Sequence, residues 1–296
     1  MANLKSQDLC ANLIHSIRAT GCRLPIRLVH FGGRKIRSPY ILNEAQFLEA
    51  EDFPREANEF IGALQSVLSC PKGFLYRFLP WFSDWDEFIY SDNDIVALTN
   101  WEKVLDYLQD FDLVHADKEY TTYGRYNYNQ PEMIGERFGP GALESAFTAG
   151  HFAAKKNLRL ITDMRKAIEW FRANPGIPKH HDQALLHIAA LLGSWKMLNL
   201  CKPPHNWLSS WAGDYRNSLD LILEIQDAPQ PRQISHIHYS GGTPHGNLPI
   251  EELLFSNLES RKRSGKLFSV NFLKLSGYLY LASKKKRLLQ KLRALF

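Results

Sequence analysis

The sequence predicts an α/β protein, a mixed sheet covered on both faces by helices. Three observations lead there. Apolar runs of strand length alternate with amphipathic helical stretches over most of the chain. One such run, from Phe88 through Tyr90, stops at Asp92-Asn93-Asp94 and resumes as the apolar stretch Ile95 to Leu98. The third is composition: 296 residues, 45% hydrophobic and 12% aromatic, supply the core of one large domain or two small ones.

Taken in order, Leu9 to Thr20 reads as a helix with Leu9, Leu13 and Ile17 on one face, stopped by Gly21. Leu24 to Phe31 reads as a buried strand ended by Gly32-Gly33, with a basic loop, Arg34 to Arg37, behind it. Helices follow over Glu56 to Leu68 and Phe74 to Phe82, then the strand into Asp92. Trp101 to Leu108 predicts a helix and Asp112 to Ala116 a strand. Tyr120 to Gly141 is rich in Tyr, Asn, Gly and Pro, the composition of a long active-site loop that meets an acceptor. Ala146 to Gly150 and Phe152 to Ala154 predict short strands around a glycine bend. Ile161 to Ala173 is an amphipathic helix broken at Asn174-Pro175-Gly176. Asp182 to Leu192 is a further helix with Asp182 as its N-cap, and Ile234 to Tyr239 is a strand ending at Ser240-Gly241-Gly242.

The end of the strand at Asp92 carries the chemistry. The carboxyl edge of an open α/β sheet is where such folds hold ligands. Two carboxylates there, with room for water and phosphate oxygens, suit Mg²⁺ or Mn²⁺ held against a diphosphate. Asp-x-Asp also occurs at Asp84/Asp86 and Asp110/Asp112, but only the pair at 92 and 94 sits where a strand runs out. A plain polar turn, with Asp and Asn accepting backbone hydrogen bonds, is the other reading. Later in the chain, His236 and His238 alternate with Ile237 and so project to one face, His238 nearer the glycines. An imidazole added to two carboxylates makes a mixed nitrogen and oxygen site suited to Mn²⁺. Gly241 and Gly242 let the backbone approach phosphate closely.

Arg77 to Pro80, Asp92/Asp94, Thr148 to Gly150, Asp182-Gln183, Pro203 to Asn206 and His238 to Gly241 fall in one order. That order resembles the retaining glycosyltransferases of the glycogenin and lipopolysaccharide-galactosyltransferase group, over roughly residues 10 to 245. The resemblance implies a GT-A-like, Rossmann-type fold and transfer from a nucleotide-sugar, a UDP-sugar, to a saccharide or lipid-linked acceptor. It implies Asp92, Asp94 and His238 as ligands of Mn²⁺ or Mg²⁺. Asn93, Gly150, Gly241 and Gly242 would lie along the nucleotide-sugar. Arg77 would stabilise the diphosphate region, and Asp182 and Gln183 would line the donor sugar. Bland readings stand beside these: Arg77 as a surface partner of Asp84 or Asp86, Asp182 as a helix cap, His236 as a core histidine.

The sequence departs from that group twice. The group begins with a strand that holds the nucleotide base, and here Met1 to Gln7 is short and polar and leads directly into the first helix. Its lysine after the His-x-x-Gly is replaced by Thr243-Pro244-His245. Both departures favour a second expectation, a degenerate, catalytically weak relative acting as a membrane-associated binding partner in polysaccharide assembly.

The remaining features bound the setting. Cys10, Cys22, Cys70 and Cys201 are scattered without a Cys-x-x-Cys, reading as reduced thiols rather than a disulfide framework or zinc cage. No apolar run reaches 18 residues and no secretory signal precedes the first helix, so a cytoplasmic location is expected. Six of the positive charges lie between Lys284 and Phe296, and the rest of the chain is close to neutral against a net +5. A general nucleic-acid surface is therefore not expected. Leu281, Leu288, Leu292 and Leu295 share a helical face away from most of those lysines, which suits either an anionic membrane surface or a docked terminal helix. The expected division is 1–250 for the transferase domain and 251–296 for the basic amphipathic segment.

Overall fold

The computed structural model describes residues 2–179, 181–215, 221 and 232–239. It separates into two compact units, one of residues 1–211 with 232–243, the other of 212–231 with 244–296. Of the second unit only Ala212–Asp214, a single 3₁₀ turn, with Tyr215 and Leu221 fall among the described residues. Everything below concerns the first. Gly241, Gly242, Thr243, His245 and the whole segment 251–296 lie outside the described residues.

The chain runs α1 (Gln7–Ala19), β1 (Ile26–Val29), α2 (Pro39–Glu44), β2 (Ala45–Leu48), α3 (Arg55–Gln65), α4 (Lys72–Leu75), β3 (Glu87–Ser91) and β4 (Ile95–Ala97). It continues with α5 (Glu102–Leu105), β5 (Leu113–His115), α6 (Pro131–Phe138), β6 (His151–Lys155), α7 (Leu158–Ala173), α8 (His181–Gly193), β7 (Met197–Asn199) and β8 (His236–His238). The central sheet is mixed, ordered β3-β6-β5-β7: β6 is antiparallel to β3 and β5, and β5 is parallel to β7. Two smaller pairs flank it, parallel β1-β2 and antiparallel β4-β8.

Strand alternation divides the core. Phe88, Tyr90, Phe152, Ala154 and Leu113 point to one face and join the large cluster built with α3, α7 and α8. Their neighbours Ala153 and Val114 point to the other and pack with Val104, Leu108 and Trp207. Trp81 stacks on Phe152 with centroids 5.5 Å apart and meets Phe88 edge-on at 5.0 Å, so the residues leading into β3 are locked to it. Helix α7 starts where Asn157 caps it, its side chain accepting from the Arg159 N–H at 2.8 Å. Helix α1 buries Ile14 and Leu13 and ends at Gly21, whose φ of +85° suits a residue without Cβ.

Several local expectations change. Ala146 to Gly150 is not a strand: a 3₁₀ turn, Ala142–Ser145, leads into extended coil and a turn at Ala149-Gly150. The stretch Tyr120 to Gly141 carries α6, opened by Pro131 at its first turn, where a missing N–H costs nothing. Phe74 to Phe82 tightens from α4 into the 3₁₀ turn Tyr76–Phe82, with Pro80 inside it removing a donor. Before α1 no strand forms among the described residues; Ala2 makes one isolated parallel bridge with His30, and a 3₁₀ turn, Leu4–Ser6, leads into the helix.

Candidate metal centre

Strand β3 ends at Ser91 and β4 begins at Ile95, so Asp92-Asn93-Asp94 is the corner between two sheets. Asp92 still belongs to the ladder with β6: its N–H donates to the Gly150 carbonyl at 2.8 Å. Asp94 is fixed on the other side, its carbonyl accepting from the Tyr239 N–H at 2.9 Å. Register places Ile95 opposite His238, and the His238 N–H donates to the Ser210 carbonyl at 2.7 Å. Two strand ends therefore meet at one point. A ligand atom of each of Asp92, Asp94 and His238 lies within 4.8 Å of the other two.

His238 Nε2 is 3.4 Å from Asp94 Oδ1 and 4.0 Å from Asp92 Oδ2. Among the described residues the buried Asp94 Oδ1 takes no hydrogen bond of good geometry, the imidazole lying near it at 3.4 Å. Such an oxygen is costly unless a proton or a cation completes it. Burial alone would lower the His238 imidazole, but the carboxylates of Asp94 and Asp92 more than offset it and hold it above the ordinary histidine range. Gly150 makes the packing possible, because a Cβ there would lie 2.2 Å from His238 Cε1.

Around this cluster sits a second set. Arg77, only 3% exposed, pairs with Asp182 at 2.7 Å and Asp92 at 3.4 Å and donates to the Ala149 carbonyl at 2.8 Å. Burial opposes its charge, yet the facing carboxylates hold it fully protonated. The surface pairing with Asp84 is not formed; Asp84 pairs with Arg27. Asp182 lies in the first turn of α8, which begins at His181, so it is not the N-cap and its carboxylate is spent on Arg77. Gln183 accepts from the Ala149 N–H at 3.2 Å. Asn93 turns the other way, its amide donating to Cys10 Sγ at 3.8 Å. In Pro203 to Asn206, Asn206 bonds Pro204 and accepts at its carbonyl from Arg232 Nε at 3.1 Å, and His205 meets Tyr107 edge-on.

His236 is a core residue, 2% exposed, its ring tilted against that of His151 with centroids 4.0 Å apart, and burial pushes its imidazole well down. Three contributors were not anticipated. Tyr90 donates its hydroxyl to Asp92, and burial raises its pKa well above the usual range. Two residues apart on one strand share a face, so this pairing was legible in the sequence. Asp117, buried beside His115 at 2.9 Å, accepts from Thr148 N–H at 3.1 Å and anchors the turn that carries Ala149 and Gly150. The Ala149 carbonyl is main chain and leaves no signature in side-chain pattern.

No family profile matches the chain, and no curated protein matches it in sequence. Solved structures do. The bifunctional glycosyltransferase WbbM in its apo form aligns with a TM-score of 0.56 and 13% identity, over 87% of this chain and 48% of that one. The galactosyltransferase LgtC, solved with donor and acceptor sugar analogues, aligns at 0.52 and 15%, over 88% of this chain and 94% of that one. The glycosyltransferase GlyE of Streptococcus pneumoniae aligns at 0.51 and 14%, over 87% and 58%. The chain thus spans about half of WbbM and nearly all of LgtC. It has the GT-A-like fold, a mixed sheet flanked by helices, that these glycosyltransferases share.

Proposed function

We propose that this protein is a metal-dependent glycosyltransferase moving a sugar from a nucleotide-sugar, a UDP-sugar, to a saccharide or lipid-linked acceptor with retention of configuration. The observation that carries the reading is the meeting of Asp92, Asp94 and His238 at one point, with no hydrogen bond of good geometry to the buried Asp94 Oδ1 among the described residues. Two carboxylates and an imidazole are a donor set for Mn²⁺ or Mg²⁺. When bound, the cation offsets the negative charge on the departing nucleoside diphosphate. That WbbM and LgtC, with the same fold, are named as glycosyltransferases supports the reaction class.

The chain's own residues act by position. Asp92 is held from three sides, by Arg77, Tyr90 and the β6 ladder, so its carboxylate is oriented before any ligand arrives. Arg77 acts in this reading by fixing Asp92 and Asp182, with its fork committed to carboxylates and the Ala149 carbonyl rather than to a diphosphate. Gln183 is anchored through Oε1, and its amide N–H groups are left to meet the donor sugar. A cytoplasmic protein resting on an anionic membrane through the basic segment after Lys284 suits a lipid-linked acceptor.

The test is UDP release from a panel of UDP-sugars with and without Mn²⁺, comparing the parent with Asp94→Asn. Mn²⁺-dependent release lost by at least about 100-fold in the variant is expected, the scale of losing one ligand or electrostatic stabiliser. Equal release by both proteins would remove the site. A Mn²⁺-induced rise in melting temperature, absent in Asp94→Asn, reads the same site without turnover. Calorimetry with UDP and Mn²⁺ separates this reading from a degenerate binding protein, for which no heat is expected.

A further inference from the structure

Tyr126 is 43% exposed, yet the chain on either side of it is locked into the interior. Its own N–H donates to Glu119 Oε1 at 3.4 Å, and the Glu119 N–H donates to Asp117 Oδ1 at 2.9 Å. Asp117 is the same carboxylate that anchors the Thr148 turn, which carries Gly150 against His238. Asn127, fully buried, donates its side-chain amide to the Phe147 carbonyl at 3.2 Å, and its own carbonyl accepts from the Lys179 N–H at 2.8 Å. Tyr128 is buried as well and meets His187. The chain enters this segment through two consecutive left-handed residues, Tyr123 at φ +52° and Gly124 at φ +67°. A residue as bulky as tyrosine keeps that conformation only where its surroundings hold it there. Tyr126 is thus a large ring fixed in place at the surface, which lowers the entropy lost when a ligand settles on it.

The ring also stands close to the metal centre. Tyr126 and Trp211 meet edge to face, with centroids 5.9 Å apart and planes at 61°. Trp211 in turn forms a parallel bridge with His238. Bridged backbones lie about 4.8 Å apart, so Trp211 sits directly beside the residue that completes the cluster of Asp92 and Asp94. We propose that Tyr126, backed by Trp211, is an acceptor subsite, the ring on which one pyranose of a saccharide acceptor stacks beside the metal centre. The proposal rests on the transferase reading above and locates the second substrate of that reaction.

The chemistry selects a sugar. A pyranose gathers axial C–H bonds on one face and carries its hydroxyls at the rim. The face of an aromatic ring is electron-rich, so it attracts those C–H groups while covering apolar area. Two ring planes 61° apart make a corner that takes the sugar's face on one wall and its edge on the other. Tyrosine and tryptophan supply such area with few rotors to freeze. The exposed neighbours Arg125, Asn129 and Gln130 are polar, which suits a hydroxylated ring better than an acyl chain.

The test is saturation-transfer NMR on the full chain with Mg²⁺, UDP and, in turn, the methyl pyranosides of glucose, galactose, mannose and N-acetylglucosamine. Ring C–H protons of at least one sugar are expected to take up saturation. Tyr126→Ala should weaken that binding about three- to tenfold, whereas Tyr126→Phe, which keeps the ring, should not. Exchanging Mg²⁺ for Mn²⁺ should broaden the same protons in the parent and spare them in Asp94→Asn. No saturation from any of these sugars, or unchanged affinity in Tyr126→Ala, would overturn the proposal. Saturation without Mn²⁺ broadening, in a parent whose melting temperature Mn²⁺ still raises, would overturn it too, because the sugar then sits away from the metal. Absence of that melting shift in the parent instead removes the metal centre, and the acceptor assignment falls with it. An undiminished shift in Tyr126→Ala shows that the variant is folded.

Discussion

Two polar clusters in this protein use similar residues to opposite ends. In one, His187 is fully buried with both ring nitrogens bonded, Nδ1 to the Tyr128 hydroxyl at 2.6 Å and Nε2 to Ser145 and the Ala142 carbonyl at 3.0 and 3.1 Å. Burial drives its pKa down to about 4, so it stays neutral, and every partner is satisfied. In the other, His238 faces two carboxylates and is held above the ordinary range, and among the described residues a buried oxygen of Asp94 has no hydrogen bond of good geometry. A satisfied neutral network ties the segment before β6 to α8 and needs nothing more. A cluster with a surplus of acceptors suits the cation proposed above. Between these two clusters the difference lies in satisfaction and not in residue type.

The comparison breaks most sharply at Arg77. Arg77→Ala leaves Asp92 and Asp182 partly buried without their common partner, a loss of about 3–5 kcal/mol by denaturant titration. A loss under about 1 kcal/mol would mean that the carboxylates are solvated enough to need no counter-charge. Gly150→Ala comes next. A methyl group in the space of the His238 ring forces the imidazole aside at a cost of about 1–3 kcal/mol, and it should weaken Mn²⁺ stabilisation as well. His187→Phe costs a similar amount, about 1–3 kcal/mol, by stranding the Tyr128 hydroxyl, but should leave the Mn²⁺ shift of the melting temperature intact. Opposite behaviour of these last two variants toward the metal is what the comparison requires; a Mn²⁺ shift lost in both would merge the clusters into one.

Sequence reasoning reached the strand that ends at Asp92, the partnership of Asp94 and His238, and the mixed sheet with its helical cover. These are written in side chains at fixed periods, and a strand running out into carboxylates is a local pattern. It failed where the main chain or the tertiary partner decides. Ala146 to Gly150 has the composition of a strand, yet its Thr148 N–H goes to the Asp117 carboxylate and its Ala149 groups to Gln183 and Arg77, so no ladder is left for it. Asp182 has the residue type of a cap, but Arg77, more than a hundred positions earlier, claims it. The bridge at Ala2 was missed for the same reason, since one paired residue carries no periodicity.

The finest distinction between the clusters is the sign of their pH dependence. His187, about 4, and His151, about 3, which lies outside the His187 network and beside His236, sit below the unfolded histidine value of about 6.5, each because burial disfavours its charged form. The unfolded chain therefore binds protons that the folded chain refuses. The stability these residues contribute is present above about pH 6.5 and is lost progressively as pH falls toward their folded values. His238 runs the other way: its raised value contributes stability below about pH 6.5 that is lost as pH rises through the folded value. Denaturant titrations of the metal-free protein at pH 6.5 and 5 read the first effect. His187→Phe should lose about 1–2 kcal/mol less than the parent over that interval, since one refusing group is gone. If parent and variant lose the same amount, His187 is already protonated in the folded protein, and its two ring nitrogens both donate, which the Tyr128 hydroxyl would then have to accept.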